Sequence, residues 1–173
     1  MIISVIAAAD ENNAIGKSGA MPWELPDEKE HFRAVTKGKP VIMGRKTWES
    51  LPEGRRPIPD RRNIVVTRKQ GYVAPGADIV PGVDEALRLA SVTSDEAFII
   101  GGSELYAYGL EIADRLYFTR VHTETEDADA FFPGMNFLDW RETERVEHPA
   151  DARHAFPFTM MVFERLGGKK YSI

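Results

Sequence analysis

Residues 21–33 read Met-Pro-Trp-Glu-Leu-Pro-Asp-Glu-Lys-Glu-His-Phe-Arg, and the rest of the chain can be placed around this stretch. Pro26 suits the first turn of a helix because its ring fixes φ near the helical value. The helix is predicted to continue to about Thr36, because Gly38 and Pro40 favour its end there.

One acidic residue lies on the apolar face of this predicted helix. At about 3.6 residues per turn, that face consists of Leu25, Glu28, Phe32 and Val35. A buried carboxylate is unfavourable unless it is hydrogen-bonded or neutral, and burial raises its pKa. Such a group is usually kept for binding or chemistry. The alternative is that Asp27 and Glu28 are ordinary first-turn acids that complement the helix dipole.

The composition is that of one folded globular domain, predicted to span residues 1–173. Hydrophobic residues make up 43% of the chain and charged residues 28%, which argues against disorder. The net charge of -5 argues against a nucleic-acid partner. The chain has no cysteine, which excludes disulfides and thiolate chemistry. Neither a signal peptide nor a membrane span is apparent, so we expect a cytoplasmic protein with no membrane partner.

Apolar strands alternate with helices along the chain. Strands are predicted at residues 2–9, 41–43, 63–68, near 79, from 97 and at 116–121. Helices are predicted at residues 26–36, 47–51, 83–90 and after 102. Residues 140–146 and 156–166 read as a closing antiparallel pair. We therefore predict a single α/β domain whose mainly parallel eight-stranded sheet has an antiparallel C-terminal edge strand and about four flanking helices.

Ligands of such sheets bind beyond the carboxyl ends of the strands. The segments predicted at this rim are residues 10–20, Gly44 with Arg45, Thr67 with Arg68, and Gly101 with Gly102. The polar loop of residues 10–20 is either a lid over the site or a plain surface connection. The cations Arg45, Lys46 and Arg68 suit an adenosine nucleotide that carries an extra phosphate, which favours NADPH over NADH.

Three further groups of polar residues allow more than one interpretation or none. Residues 52–62 carry Arg55, Arg56, Arg61 and Arg62, which form either a solvated basic loop or a clamp for a carboxylate or phosphate. The acidic residues 124–129 lack the spacing of a calcium loop and read as a solvated turn. His31, His122, His148 and His154 show no ligand spacing, so no metal is predicted.

Five stretches occur in an order typical of one family. They are Ile15-Gly16, Met21-Pro-Trp-x-Leu-Pro26, Pro40-Val-Ile-Met-Gly-Arg45 with Thr47-Trp-Glu-Ser50, Ile100-Gly-Gly102 with Tyr106, and Leu116-Tyr-x-Thr119. With these five stretches, the chain resembles the dihydrofolate reductases of bacterial chromosomes, and the resemblance extends over nearly its whole length. The resemblance implies hydride transfer from NADPH to C6 of 7,8-dihydrofolate and protonation at N5. The product, 5,6,7,8-tetrahydrofolate, supplies one-carbon metabolism.

The resemblance also implies which residues bind the substrate. Glu28 matches the family's single acidic residue, which holds the pterin amino group and ring N–H and favours protonation of N5. Thr119 would support this carboxylate. Arg61 would pair with the substrate's glutamate carboxylate, and Arg62 would do so if the loop is shifted by one residue. The other implied substrate-binding residues are Ile6, Ala7, Phe32, Leu51, Ile58 and Ile100.

For the cofactor, the resemblance implies three groups of contacts and no metal. The residues near nicotinamide and its ribose are Ala8, Ala14, Ile15, Gly16, Lys17, Ser18, Gly19 and Ala20. The residues around the adenosine and its 2′-phosphate are Gly44, Arg45, Lys46, Thr47, Thr67 and Arg68. The residues around the pyrophosphate, at a helix N-terminus, are Ile100, Gly101, Gly102, Ser103, Glu104, Leu105 and Tyr106. The resemblance also implies that the Gly101–Gly102 peptide is cis. Separately, we expect the protein to be a monomer.

Two other functions remain open at this point. The pyrimidine reductase of riboflavin synthesis shares the fold and NADPH, but it does not need the Trp-x-Leu-Pro-x-Glu arrangement of residues 23–28. A non-catalytic NADPH-binding module is the other alternative. A pure binding module gains nothing from placing Glu28 on an apolar helix face, which argues against it.

Overall fold

The computed structural model describes residues 1–172. Along the chain its strands and helices are β1 (Ile2–Ala9), β2 (Ala14–Gly16), α1 (Pro26–Thr36), β3 (Val41–Gly44), α2 (Arg45–Ser50), β4 (Asn63–Val66), β5 (Asp78–Val80), α3 (Val83–Ser91), β6 (Glu96–Ile99), α4 (Ser103–Ile112), β7 (Arg115–Val121), β8 (Ala130–Phe131), β9 (Trp140–His148) and β10 (Phe158–Arg165). Short 3-10 turns occupy Glu53–Arg55 and Phe137–Asp139.

Eight of these strands form one sheet in the order β5-β4-β3-β6-β1-β7-β10-β9. The six strands from β5 to β7 are parallel, whereas β10 runs antiparallel to both β7 and β9. The predicted α/β fold is therefore confirmed. One detail differs, because β9 occupies the edge and the reversed strand β10 lies one position inside it. The short connection between the two strands makes them a hairpin, and β10 pairs onward with β7.

The two faces of the sheet pack against different helices. On β1, Ile3, Val5 and Ala7 belong to the apolar cluster that includes residues of α3 and α4. Ile6 points the other way and belongs to the cluster that Phe32 of α1 covers. This alternation follows from the two-residue period of a strand, and it decides which residues of β1 can face α1.

Helix α1 has the predicted bounds, and its apolar face is turned towards the sheet. Glu28 is only 6% exposed, whereas Glu30 on the same helix is exposed. Beyond the helix, Gly38 has φ +73°, a left-handed conformation that favours glycine and turns the chain towards β3. The helical period therefore placed Glu28 and Glu30 on the correct sides of the helix, although it left the ordinary first-turn acid open as an alternative for Glu28.

Two local predictions were wrong. The helix expected from Thr47 begins at Arg45, because Gly44 ends β3 in an extended conformation (φ -74°) and serves directly as the N-cap. The loop of residues 10–20 contains the short strand β2, which pairs with β8. Its partner lies more than a hundred residues away, so no local pattern indicates this strand. Within residues 1–172 we find no helix with the length and apolar character needed to cross a membrane.

Candidate active site

The predicted rim residues meet at the carboxyl ends of the parallel strands. The Gly44 N–H donates to the Gly101 carbonyl at 2.9 Å, which joins the ends of β3 and β6. Gly44 is also the register partner of Val66, so Arg45 and Thr67 follow neighbouring strand ends. The cationic segment after β3, the glycine pair after β6 and the loop after β1 thus follow three consecutive strands of the sheet.

Glu28 is held in an apolar environment between α1 and the sheet. Burial raises the pKa of Glu28 to about 7, against the opposing effects of a hydrogen bond from Thr119 and the charge of Lys29. Thr119 is itself buried on β7, where its register partner is Ala8 of β1. The carboxyl group is therefore close to half protonated near neutral pH. The alternative in which Glu28 is an ordinary first-turn acid is inconsistent with this burial.

The apolar side chains between α1 and the sheet come from four segments. One cluster contains five of the residues predicted to bind substrate, namely Ile6, Phe32, Leu51, Ile58 and Ile100. The side chain of Ala7, also predicted there, faces the opposite side of the sheet with α3 and α4. The prediction for Ala7 is therefore wrong for its side chain, because neighbouring strand residues point to opposite faces.

The two candidate arginines have different surroundings. Arg61 lies at the end of α1, where its Nε donates to the Thr36 hydroxyl at 2.9 Å and its Nη2 to the Arg33 carbonyl at 2.5 Å. Partial burial lowers the pKa of Arg61. Arg62 instead forms an ion pair with Asp78 at 2.7 Å, towards the far edge of the sheet. Only Arg61 lies beside α1.

The four arginines of residues 52–62 do not come together in one cluster, so only individual members of this segment remain candidates for binding a carboxylate or phosphate. Arg56 donates to the Trp48 carbonyl at 3.3 Å, and its guanidinium lies 5.8 Å from the Trp48 ring centre. Arg55 is exposed within the 3-10 turn. The arginines thus contact different parts of the protein, because this segment passes around the end of α2 before it enters β4.

The glycine pair forms a close-fitting turn before α4. The Gly101–Gly102 peptide is cis, as the resemblance implied, and Gly101 has φ +123°. A Cβ atom at Gly101 would lie 3.3 Å from the Tyr106 ring. The Tyr106 hydroxyl lies 2.9 Å from the Ile6 carbonyl and 2.8 Å from the Ile100 carbonyl. Tyr106 thus supports the turn from inside the protein, and its hydroxyl is directed away from the predicted pyrophosphate position.

The start of α4 and the cations beside it suit a dinucleotide phosphate. No side chain caps α4 at Gly102, so backbone N–H groups of its first turn remain available to an anion. Arg45 is half-buried and pairs with Glu49 at 3.0 Å, whereas Lys46 and Arg68 are exposed. The other predicted cofactor residues in this region, Thr47, Thr67, Ser103, Glu104 and Leu105, lie at the adjoining strand ends and first helical turns.

The loop of residues 10–20 is an ordered hairpin. Lys17 and Ala20 exchange backbone hydrogen bonds of 2.8 and 3.1 Å, with Ser18 and Gly19 at positive φ, the arrangement of a type I′ turn. The Ser18 N–H donates to Asp129 at 2.8 Å. The acidic turn predicted to be merely solvated therefore holds the candidate lid. Of the predicted lid residues, Ala14 is fully buried, so only its backbone can border a ligand, whereas Ile15 and Gly16 are partly exposed.

Two further residues, to which the sequence assigned no individual role, are buried in segments next to β1 and α1. Asp10 is fully buried and accepts backbone hydrogen bonds from Asn12, Ala14 and Thr125 at 2.7–2.9 Å. Burial alone would raise the pKa of Asp10, but these hydrogen bonds hold it below its usual range. Trp23 is buried, and its indole Nε1 has no hydrogen-bond partner among residues 1–172.

Comparison with known proteins agrees with this geometry. The family model described as dihydrofolate reductase matches residues 2–165. The chain is 46% identical to dihydrofolate reductase type 3 of Salmonella typhimurium, covering 95% of this chain and 99% of that protein. It is 36% identical to dihydrofolate reductase of Bacillus subtilis, covering 98% of both chains. A structure of dihydrofolate reductase from Enterococcus faecalis, complexed with NADP(H) and RAB-propyl, superposes with a TM-score of 0.87 at 32% identity, covering 95% of this chain and 96% of that chain. The chain therefore belongs to the dihydrofolate reductase family, whose members use NADPH to reduce 7,8-dihydrofolate.

Proposed function

We propose that Glu28 is the acidic group with which this enzyme binds and activates dihydrofolate. The observation that carries the proposal is a carboxyl group that is only 6% exposed, on the helix whose Phe32 packs into an apolar cluster, with Thr119 near enough to oppose the rise in its pKa. A flat pterin fits such a cluster, and a carboxylate can accept hydrogen bonds from its exocyclic amino group and the adjacent ring N–H. Glu28 would thus fix the orientation of the ring.

The same environment prepares Glu28 for proton chemistry. With a pKa of about 7, its protonated and ionised forms coexist near neutral pH. In dihydrofolate the N5=C6 bond is reduced, so that C6 receives a hydride and N5 a proton. We propose that the carboxyl group favours the protonated state of N5, while the apolar side chains of Ile6, Phe32 and Ile100 exclude water from the reacting bond.

The cofactor residues are proposed from the fit of the rim to a phosphorylated dinucleotide. NADPH, when bound, supplies the hydride. The uncapped start of α4 would hold the pyrophosphate, and Arg45, Lys46 and Arg68 would hold the 2′-phosphate. The lid hairpin at residues 17–20 would cover the nicotinamide. The Enterococcus faecalis relative was solved with NADP(H), which supports this assignment.

For the other end of the substrate, we propose that Arg61 pairs with the glutamate carboxylate. Its side chain is already oriented by Thr36 and by the carbonyl of Arg33, beside the helix that carries Glu28. A guanidinium can bind a carboxylate with two parallel hydrogen bonds. Arg62 is engaged by Asp78, which leaves Arg61 as the candidate.

The test follows NADPH absorbance with dihydrofolate added, for the parent enzyme and for Glu28→Gln. We expect a rate loss on the order of a hundredfold or more near neutral pH in Glu28→Gln, because an amide cannot supply the proton. Glu30→Gln is the matched control, since Glu30 is an exposed carboxylate on the same helix. Unchanged turnover in Glu28→Gln would contradict the role given to this carboxyl group.

The two alternative functions lack comparable support. The family match over residues 2–165 identifies a dihydrofolate reductase and not a pyrimidine reductase. A non-catalytic module would not need Glu28 at 6% exposure. We further propose that the enzyme acts as a monomer in the cytoplasm, where its reduced cofactor is available. Sedimentation in the presence of NADPH would test the monomer.

A further inference from the structure

The first turn of α1 is held by a residue far away in the sequence. Its N-cap, Leu25, has no side chain that can cap the helix. Instead the Asp27 N–H donates to Nε2 of His154 at 3.0 Å. The His154 side chain is fully buried in the connection between β9 and β10. An imidazole thus performs the task that a serine or aspartate usually performs at a helix start.

The hydrogen bonds of His154 define its protonation state. Its Nδ1 lies 2.8 Å from the Asp151 carboxylate, which can only accept a hydrogen bond. Since Nε2 accepts from Asp27, the ring is neutral and carries its proton on Nδ1. The interaction with His154 lowers the pKa of Asp151. Both ring nitrogens are therefore used, and the ring is fixed in one orientation.

A second hydrogen bond joins the first turn of α1 to the end of β9. The Asp27 carboxylate accepts from Nε2 of His148 at 2.9 Å, while Nδ1 of His148 lies 2.7 Å from the Pro149 carbonyl. Both nitrogens of His148 face acceptors, which favours its charged form. The hydrogen bond with Asp27 accordingly raises the pKa of His148. The ring also stacks on Phe158, with ring centres 4.4 Å apart.

The three side chains Asp27, His148 and His154 are of metal-ligating type and lie within 4.8 Å of one another. Their hydrogen bonds give a different interpretation. A metal ligand needs a free lone pair. The Nε2 lone pair of His154 accepts the Asp27 amide, and both nitrogens of His148 act as donors. The three side chains therefore form a hydrogen-bonded cluster that holds the first turn of α1.

We infer that His154 is a positioning residue for Glu28. The inference rests on the proposed role of Glu28. By holding the backbone amide of Asp27, His154 fixes the residue that directly precedes the catalytic carboxyl group. The ion pair between Asp27 and His148 fastens the same turn from its outer side. Two hydrogen bonds across more than 120 residues thus set where the carboxylate lies relative to the sheet.

We expect His154 to influence Glu28 through the position of the helix backbone between them. The influences on the pKa of Glu28 are its burial, the Thr119 hydroxyl and Lys29, and each depends on where the first turn lies. If the tie to His154 is removed, the turn can move away from β7 and admit water. The carboxyl group then becomes more hydrated, and its pKa falls towards the ordinary value. Changed geometry and changed acidity should appear together.

The experiment compares two substitutions of His154 by the rate of NADPH oxidation in a single turnover with dihydrofolate, measured across pH. His154→Leu removes the acceptor for the Asp27 amide. We expect the rate to fall about tenfold and its pH midpoint to move to lower pH, because a misplaced group reacts more slowly. His154→Gln offers an amide oxygen in place of Nε2, so we expect recovery to within about threefold of the parent rate. In separate steady-state measurements, the KM for NADPH should stay unchanged in both variants.

Two further variants test whether the effect depends on the orientation of the His154 ring. Asp151→Ala changes an exposed residue and removes the acceptor for His154 Nδ1, together with a local hydrogen bond from the Arg153 N–H. It should give the same pH shift with a smaller rate loss even if His154→Leu does not fold. Arg145→Gln is the matched control on the same hairpin, because Arg145 bonds only to Glu142 of its own strand. We expect its rate and pH midpoint to equal those of the parent.

The outcomes separate this inference from the proposed function. Parent-like rates and pH midpoints in folded His154→Leu and Asp151→Ala would overturn the positioning role while the parent remains active. A parent enzyme without dihydrofolate-dependent NADPH oxidation would instead overturn the proposed function. Micromolar Zn²⁺ binding in calorimetry that His154→Gln and His148→Gln both abolish would show a metal site and also overturn the inference.

Discussion

Replacing Glu28 by glutamine should stabilise the ligand-free enzyme while it abolishes activity, and the gain should depend on pH. The reason is that the folded protein holds this carboxyl group at a pKa of about 7, whereas the unfolded chain exposes it at its ordinary value of 4.5. Between these two pH values the unfolded chain releases its proton first. Rising pH therefore favours unfolding of the parent enzyme in this interval.

The size of the effect follows from the same two values. Each pH unit between 4.5 and about 7 corresponds to about 1.4 kcal/mol, so the parent loses about 3 kcal/mol of unfolding free energy over this interval. Below pH 4.5 both states are protonated, and above about pH 7 both are ionised, so the difference is then constant. Glu28 is only 6% exposed, so solvent screens little of this energy. Glutamine at this position cannot ionise and lacks the pH-dependent loss.

Urea unfolding of the ligand-free protein at about pH 5, 6, 7 and 8 tests this reasoning. The unfolding free energies of the parent and Glu28→Gln should be similar at the lowest pH and differ by about 3 kcal/mol at the highest. Glu30→Gln, which changes an exposed acid on the same helix, should follow the parent at every pH. A difference between parent and Glu28→Gln that stays constant from pH 5 to 8 would refute the raised pKa and the proton role built on it.

Three other substitutions test the rest of the site. Gly101→Ala should destabilise the fold by about 1–3 kcal/mol and weaken NADPH binding, because Gly101 has φ +123° and a methyl group there would lie only 3.3 Å from the Tyr106 ring. Gly54→Ala, in open space, should do neither, as melting and fluorescence titration will show. Arg61→Ala should raise the KM for dihydrofolate about tenfold or more, whereas Arg62→Ala should lower only the melting temperature; the reverse result would shift the assignment to Arg62. Asp129→Ala should speed tryptic cleavage of the lid, since the lid loses a 2.8 Å hydrogen bond; unchanged cleavage would argue against that anchor.

Local chemistry was sufficient to predict α1, and it made the burial of Glu28 one of two open interpretations, between which the resemblance then decided. Pro26 and Gly38 mark the two ends of the helix by their own backbone preferences. The apolar period then fixes which side of the helix meets the sheet, and this placed one acid inside and Glu30 outside. These features depend on residues within a few turns of one another, so the sequence carries them explicitly.

The side-chain direction of Ala7 could have been predicted from the same kind of information. Ile6 and Ala7 are neighbours on a strand, so their side chains must face opposite sides of the sheet. The strand period assigns only one of them to the face of α1, and the apolar cluster there contains Ile6. The resemblance supplied both residues without this distinction, and the two-residue period would have separated them.

Contacts between distant polar residues could not be predicted. Asp10 binds Thr125, Asp129 binds Ser18, and Asp27 binds His148, and each pair is separated by more than a hundred residues. No period or turn motif relates the members of such a pair. Their side chains are typical of exposed loops in the sequence, and only the folded sheet brings their segments together. For this reason the acidic turn was interpreted as solvated and the histidines as unrelated.

These distant contacts belong to the same energetic balance as the buried carboxyl group. An ionised Glu28 weakens the folded state, so the surrounding structure must keep α1 in place against the tendency of the carboxylate to reach water. Apolar packing of Phe32 holds the middle of the helix, but its first turn lacks a cap of its own. His154 supplies the missing hydrogen bond at the residue next to Glu28, where displacement would relieve the burial most directly. With the positioning role inferred for His154, this hydrogen bond helps to hold an acid of raised pKa in place, so its loss should lower the pKa of Glu28.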